Sequence, residues 1–461
     1  MGEVDHTLLL AEFLSKLTYE DLTQQVIIQA KKSMFNSLGC GLGYAQHGPA
    51  EKAFSMIQAG RARGEATILG RKERTGVEHA ILINGIALTT ADYDDTHLKT
   101  VIHPSGTPLA ALLSWAEVNH ISGKEFLLAF ICGVEAQCAV GNAISPAHYR
   151  DGWHITGTTG NFGATAAIAK AQKLSSSQFA AAFGHSASMA GGIRAMFGTD
   201  TKTLHMGRGA QNGLLSAQLA SHGFESCPKA IERWGRMVST TVSEESLSAL
   251  AHGGAFQILE NTFKPYPCGI VIHPLIDAGL QAHVIFQRGN MPRSSPMQAE
   301  QTVDSTTIET IDATVNPQCV RLCSVRNPAT GLETIFSLYH GIAVALLYGQ
   351  AGRVQFSDKG CKDELTKQIR DKIQVHTDEK VADDAAILKL TFIDKQQRVI
   401  SIDHATGSLA NPMTSEQLEA KFMDLSSDIL GEARAHEVVE KCWNIEEIIN
   451  MQDFVQSLVP A

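Results

Sequence analysis

The sequence predicts a mainly α-helical protein: a large all-helical domain and a smaller α+β domain inserted before the C-terminal helices. Three observations carry this. From Thr7 to about Tyr266 apolar residues recur at helical spacing, and no run alternates strictly enough to be a strand. After Pro267 alternating runs appear, and from Ser415 to Leu458 helical spacing returns. At 461 residues the chain exceeds one ordinary core, and a prior of roughly 100–200 residues per domain suggests two or three. The implied divisions are 1–266 for the first part of the large domain, 267–403 for the α+β domain and 404–461 for the segment that completes the large one.

Along the chain, Thr18-Tyr-Glu-Asp21 and Ser122-Gly-Lys-Glu125 each place a hydroxyl at a helix cap and a carboxylate three residues later. That arrangement satisfies two free amide donors before an apolar run. Pro108 sits where a first-turn proline is tolerated. The segments Leu109–Val118, Glu125–Ile144, Gly160–Ala171, Gln178–Gly191 and Gly209–Ser221 are mostly dense in alanine, glycine and serine. Small residues let helix axes approach closely, so a packed many-helix domain is expected. Arg288–Gln301 is a polar stretch rich in Gly, Pro and Ser, and Ile308–Val315 alternates as a half-buried strand does. Ala386–Phe392 and Arg398–Ile402 flank Asp394-Lys-Gln-Gln and predict a hairpin, with helices over 335–348 and 363–373 between the strands.

Composition excludes several function classes. Apolar residues at 44% and charged residues at 19% belong to a globular chain. The net charge is -10, and no basic block is interleaved with aromatics, so nucleic acid is not an expected partner. The nine cysteines are an odd number, lack a C-x-x-C and fall in apolar segments, which predicts reduced, mostly buried thiols. The N-terminal Met-Gly-Glu-Val-Asp-His has no basic leader character, and no apolar run approaches membrane-spanning length. A cytoplasmic protein with no membrane partner is the expectation.

Four constellations carry chemistry. The first is Asp92-Tyr-Asp-Asp-Thr96-His97, followed by His103-Pro-Ser-Gly106. Carboxylates this close repel one another, which raises at least one pKa if they are buried together. An acidic helix end explains the same residues without any site, and a divalent-metal site using Asp92, Asp94, His97 and His103 is a further reading. The second is Gly152-Trp-His154 with Thr156-Gly-Thr-Thr-Gly-Asn-Phe-Gly163, a glycine-rich helix entry whose amides can hold an anion. No Gly-Lys-Ser/Thr follows and no strand precedes it, so it is neither a phosphate-binding nor a dinucleotide loop. The third and fourth are Thr201-Lys202-Thr-Leu-His205-Met-Gly-Arg208 and Phe263-Lys264-Pro-Tyr-Pro-Cys268. Each puts a lysine among hydroxyls, glycines or prolines, outside a solvated helix face. A lone loop lysine is usually solvated; a site for a polycarboxylate, though, needs cations near acid–base groups.

In this order the four motifs resemble the MmgE/PrpD family, which includes 2-methylcitrate dehydratase, cis-aconitate decarboxylase and iminodisuccinate epimerase. The resemblance spans about Leu8 to Leu458. It implies a large helical domain completed by the C-terminal segment, a smaller α+β lid domain, an active site between them, and a homodimer without metal or organic cofactor. Carried over from the decarboxylase members, it implies that Asp92, Thr96, His103, His154, Lys202 and Lys264 form the site. Arg208 of the third motif is a further candidate cation. The expected substrate is a small polycarboxylate such as cis-aconitate or an alkylated analogue. It would be held by Lys202 and Lys264 and protonated by His103, with His154 as alternate donor and Asp92 orienting a histidine. Two departures matter. The decarboxylases also use a lid tyrosine before a helix, and Val320–Arg326 has none, leaving Tyr339 or Arg326 in its place or a different substrate. His97 stands where the dehydratases typically carry tryptophan, which ranks dehydration below decarboxylation or epimerisation. A helical scaffold without activity is the non-enzymatic alternative.

Overall fold

The computed structural model describes residues 4–60, 64–90, 92–289 and 305–461. It is mainly helical with small sheets, as the sequence predicts. The chain forms two compact units. One comprises Met1–Thr90, Asp94–Phe263 and Thr414–Ala461, and the other Ala91–Tyr93 with Lys264–Met413.

The first unit is built on the helix Ile155–Ala171, in which every residue except Lys170 is buried. Gly106–Asn119, Gly123–Ile144 and Thr201–Ser221 pack around it. Small residues make the approach possible. A Cβ on Gly213 would lie 2.3 Å from the Ala164 Cβ, and one on Gly85 would lie 2.8 Å from the Gly207 Cα. Lys170 spends its ammonium on the carbonyls of Leu14, Ser15 and Leu17 at 2.5–2.9 Å. It thereby satisfies the acceptors left over at the end of His6–Lys16. The C-terminal helices Ser415–Leu430, Glu432–Trp443 and Met451–Ser457 complete this unit, with Phe422 stacked on Phe35 at 4.5 Å between ring centroids.

Local expectations need correction at several points. The Thr18 capping box closes only the short turn Tyr19–Asp21, and Thr23 caps the long helix Gln24–Tyr44. Helical character is interrupted by two-residue strands, Ala66–Thr67 with Arg74–Thr75 and Thr96–His97 with Asn261–Thr262. Two residues are too few to leave an alternating signature. The glycine-rich segment 156–163 is no entry loop, because the helix already starts at Ile155 and those amides lie inside it. Lys202 likewise sits in the first turn of Thr201–Ser221 and not on a loop. Contrary to expectation, Gly123–Ile144 is long and apolar enough to cross a bilayer. Its most apolar window is 89% buried within the protein, which marks a core helix. None of the nine cysteines is in a disulfide, and all but Cys227 are buried.

The second unit centres on a four-stranded sheet in the order Ile373–Thr377, Ile308–Val315, Ala386–Phe392, Gln397–Ile402. The last two form the expected hairpin, pairing Ala386 with Ile402. The first strand is parallel to its neighbour and was not expected, since residues 363–373 read as one helix that in fact ends at Asp371. It is an edge strand with only Ile373 buried, so no apolar alternation betrays it. Ile311, Ala313, Val315, Leu388, Leu390, Ile400 and Ile402 share one core with Leu275, Ile276, Ile342 and Leu346 of the helices His273–Gly289 and Leu338–Tyr348. The polar stretch Arg288–Gln301 lies outside the described residues beyond Gly289.

Candidate active site

In the first unit, Thr96–His97 pairs with Asn261–Thr262, and Thr262 Oγ1 donates to the Thr96 carbonyl at 2.7 Å. The chain then turns sharply. His97 N–H donates to the Ile102 carbonyl at 2.8 Å, and the buried His97 ring holds Thr100 Oγ1 through Nδ1 at 2.7 Å. Burial pushes the His97 pKa down to about 4, so this ring is a neutral strut of the turn. Val101 lies in the left-handed region at φ 54°. For a β-branched residue that costs about 1–2 kcal/mol, and it delivers Ile102 inward and His103 beside the carboxylates.

His103 is fixed from several directions. Its N–H donates to Thr156 Oγ1 at 3.2 Å, and its carbonyl accepts from Gln137 Nε2 at 3.4 Å. Nδ1 lies 2.7 Å from the Asp95 carbonyl, 3.3 Å from Thr96 Oγ1 and 3.7 Å from Asp94 Oδ1. A carbonyl only accepts, so Nδ1 carries the hydrogen and Nε2 is the nitrogen that exchanges protons. The side chain is 13% exposed, so the ring is reachable. The Asp95 carboxylate is wholly buried and accepts from Ser105 Oγ and from Asn261 Nδ2 at 2.5 Å. Burial raises its pKa to about 6 despite those donors.

Thr156 belongs to the first turn of Ile155–Ala171, whose N-cap is His154. The His154 N–H donates to the Gly192 carbonyl at 3.0 Å, and Trp153 pairs with Ile193, so residues 152–154 and 192–194 brace one another. The His154 ring is buried. Its Nδ1 stands 2.8 Å from His205 Nδ1, and the edge of Phe197 meets it at 4.9 Å between centroids. The Lys202 ammonium lies 5.5 Å from the centroid of the same Phe197 ring. Gly157 is glycine for a spatial reason. A Cβ there would lie 2.8 Å from His205 Cβ and 3.2 Å from His154 Nδ1.

The first unit thus brings together Thr96, His103, His154 and Lys202 from three separate motifs. Arg208 does not join them. It is exposed and donates to Gln211 Oε1 at 2.8 Å on its own helix. Six residues beyond Lys202, the helical period turns it to a different face. His205 was not expected; it lies three residues from Lys202, so helical spacing puts the two on one face.

In the second unit, Lys264 is 2% exposed and donates to the Asp92 carbonyl at 2.9 Å and to Asp92 Oδ2 at 3.1 Å. Asp92 has φ 52° in the left-handed region, which aspartate tolerates. Tyr93 O–H donates to the Pro265 carbonyl at 2.7 Å, so the two short motif segments are tied twice. Within its own unit the Asp92 carboxylate has Lys264 as a partner. The groups that orient His103 from within its own unit are Asp95, Thr96 and Asp94. Arg326 stacks over Tyr339 at 4.8 Å, so the two residues offered for the missing tyrosine are partners.

Comparison with known proteins agrees with the resemblance. The MmgE/PrpD N-terminal domain model matches residues 9–248 and the C-terminal domain model matches residues 266–445. Cis-aconitate decarboxylase of Aspergillus terreus is 22% identical over 478 residues, covering 97% of this chain and 95% of that protein. A cis-aconitate decarboxylase-like protein, oryM, of Aspergillus oryzae is 30% identical over 234 residues, and this chain spans only about half of its length (48%). The human cis-aconitate decarboxylase is 27% identical over 283 residues, 59% of this chain and 58% of that protein. With both family domains matched across most of its length and the motif residues set out as described, the chain belongs to the MmgE/PrpD family.

Proposed function

We propose that this chain is a cofactor-independent carboxy-lyase for cis-aconitate or an alkylated aconitate-type acid. The observation that carries the reading is the grouping of His103, His154 and Lys202 in the first unit. Two imidazoles and an ammonium are linked there through Thr156 and Phe197. Lys202 is assigned to a substrate carboxylate. Lys264, with Asp92 as its counter-ion, is assigned to another on the strength of its motif.

Decarboxylation of an allylic acid breaks one carbon–carboxylate bond, releases carbon dioxide and leaves its electron pair in the allyl system. Protonation at the far end then shifts the double bond. The proton comes from Nε2 of His103, since Nδ1 is occupied by the Asp95 carbonyl. The ammonium groups stabilise the carboxylates that remain and orient the allyl system toward that nitrogen.

The test is incubation of the purified protein with cis-aconitate, 2-methylcitrate and iminodisuccinate in deuterated water, followed by NMR. Carbon dioxide release with one deuteron at the far allylic carbon is the expected result. Water loss from 2-methylcitrate, or deuterium wash-in without carbon loss, would replace this reading with dehydration or epimerisation.

A further inference from the structure

The contact between His154 and His205 has a consequence that the family match does not assign. Two Nδ1 atoms 2.8 Å apart make one hydrogen bond, so one ring must donate and the other accept. Both rings cannot be imidazolium while the contact persists, because two N–H groups would then point at each other. The pair can take up one extra proton and no more. In that state the bridging hydrogen lies between the Nδ1 atoms and both Nε2 atoms carry hydrogen.

The surroundings decide where the charge resides. His205 is pushed below the ordinary histidine value first by burial and then by the ammonium of Lys202 one helical turn before it. Of the segment Arg194–Phe197, Phe197 meets the His154 ring edge-on, and Arg194 is turned away, its guanidinium 4.1 Å from the centroid of Tyr149. Gly157 and Gly192 admit the His205 ring, since a Cβ on Gly192 would lie 3.1 Å from its Cγ.

We propose that His205 is a positioning residue that holds His154 through the Nδ1–Nδ1 hydrogen bond and makes Nε2 of His154 a second proton-bearing atom of the site, in addition to Nε2 of His103. The proton inventory closes. When Nε2 of His154 gives up its hydrogen, the bridging hydrogen moves fully onto His154 Nδ1. His205 is left neutral with Nε2–H, and the pair passes from a charge of +1 to 0. Reprotonation from solvent reverses the sequence. The inference rests on the proposed acid–base reading of this site, and it adds a residue whose hydrogen bond rather than its contact with substrate matters.

The test uses the full-length protein and three variants, His205→Ala, His205→Asn and His205→Leu. Asparagine can offer a side-chain amide to His154 Nδ1, whereas leucine fills the space without one. With whichever substrate the wild type turns over, kcat should fall roughly 100-fold in the alanine and leucine variants, with KM held within about twofold. Asparagine should recover most of the loss. Unchanged kcat in a folded alanine or leucine variant would overturn the proposal, and so would a raised KM at constant kcat, which would mean that His205 only seats Lys202. If the wild type acts on none of the three acids, the proposed function fails and a second readout decides this inference alone. In 15N-histidine NMR, the His154 signals, assigned with His154→Gln, should move from one fixed tautomer to a mixture on His205→Ala; unmoved signals refute the positioning role.

Discussion

Replacing Asp95 with asparagine isolates the electrostatic cost of the motif that carries His103. The Asp95 carboxyl is fully buried, and its pKa rises from the ordinary 3.8 to about 6, chiefly through burial. The folded protein therefore keeps a proton up to pH ~6 that the unfolded chain releases near 3.8, and folding takes up that proton in between. Stability attributable to this group is highest below pH ~4, falls as pH rises from about 4 to 6, and is level above. About 2 pKa units at 1.36 kcal/mol each is about 3 kcal/mol. For a chain of 461 residues, an unfolding entropy of about 2.1 cal/mol/K per residue converts that into about 3 °C of Tm. In Asp95→Asn the amide oxygen still accepts from Ser105 and Asn261, but the new NH2 replaces Oδ1, which has no hydrogen-bond partner among the described residues. That adds a pH-independent loss of about 1–3 kcal/mol. The informative quantity is thus how the difference between the two proteins changes with pH. Thermal unfolding measured in pH steps from about 4 to 8 should show the variant gaining about 3 °C on the wild type between the ends. Titrations shared by both proteins, such as that of His97 and that of Glu135, whose pKa burial raises to about 7, cancel in this comparison. Parallel curves would refute the assignment of a buried, proton-holding carboxyl at Asp95.

Three further outcomes are expected. His103→Ala should lower kcat about 10²–10⁴-fold with Tm almost unchanged, read by steady-state assay and calorimetry, because the ring is partly open and does proton transfer; loss of folding would make it structural. Lys264→Met should destabilise by about 3–5 kcal/mol by leaving Asp92 buried without its cation, and adding Asp92→Asn should recover much of that in a denaturant titration, whereas additive losses would deny the ion pair. Gly157→Ala should preserve the helix by circular dichroism yet reduce kcat, since the added Cβ falls 3.2 Å from His154 Nδ1 and displaces the histidine pair.

How much of this was legible depends on the length scale of each signal. Long helices announce themselves by period. Ser122–Glu125 does cap Gly123–Ile144, and the alanine- and glycine-rich runs do become closely packed helices. The hairpin of Ala386–Phe392 with Gln397–Ile402 was equally plain, because each strand is long enough to alternate. The strand Ile373–Thr377 and the two-residue pairings escaped because their register is set by partners distant in sequence.

By itself the sequence determined the family, the mainly helical class and the residue types available for proton transfer and carboxylate binding, because these depend on composition, period and motif order. Tertiary structure alone decided which of those residues meet. It set His205 against His154, turned Arg208 to solvent, paired Asp92 with Lys264 and fixed the hydrogen of His103 on Nδ1 through the Asp95 carbonyl. The physical reason is that hydrogen bonds and buried charges act over a few ångströms between groups far apart along the chain, 172 residues in the case of Lys264 and Asp92. Local spacing carries no information about such distances.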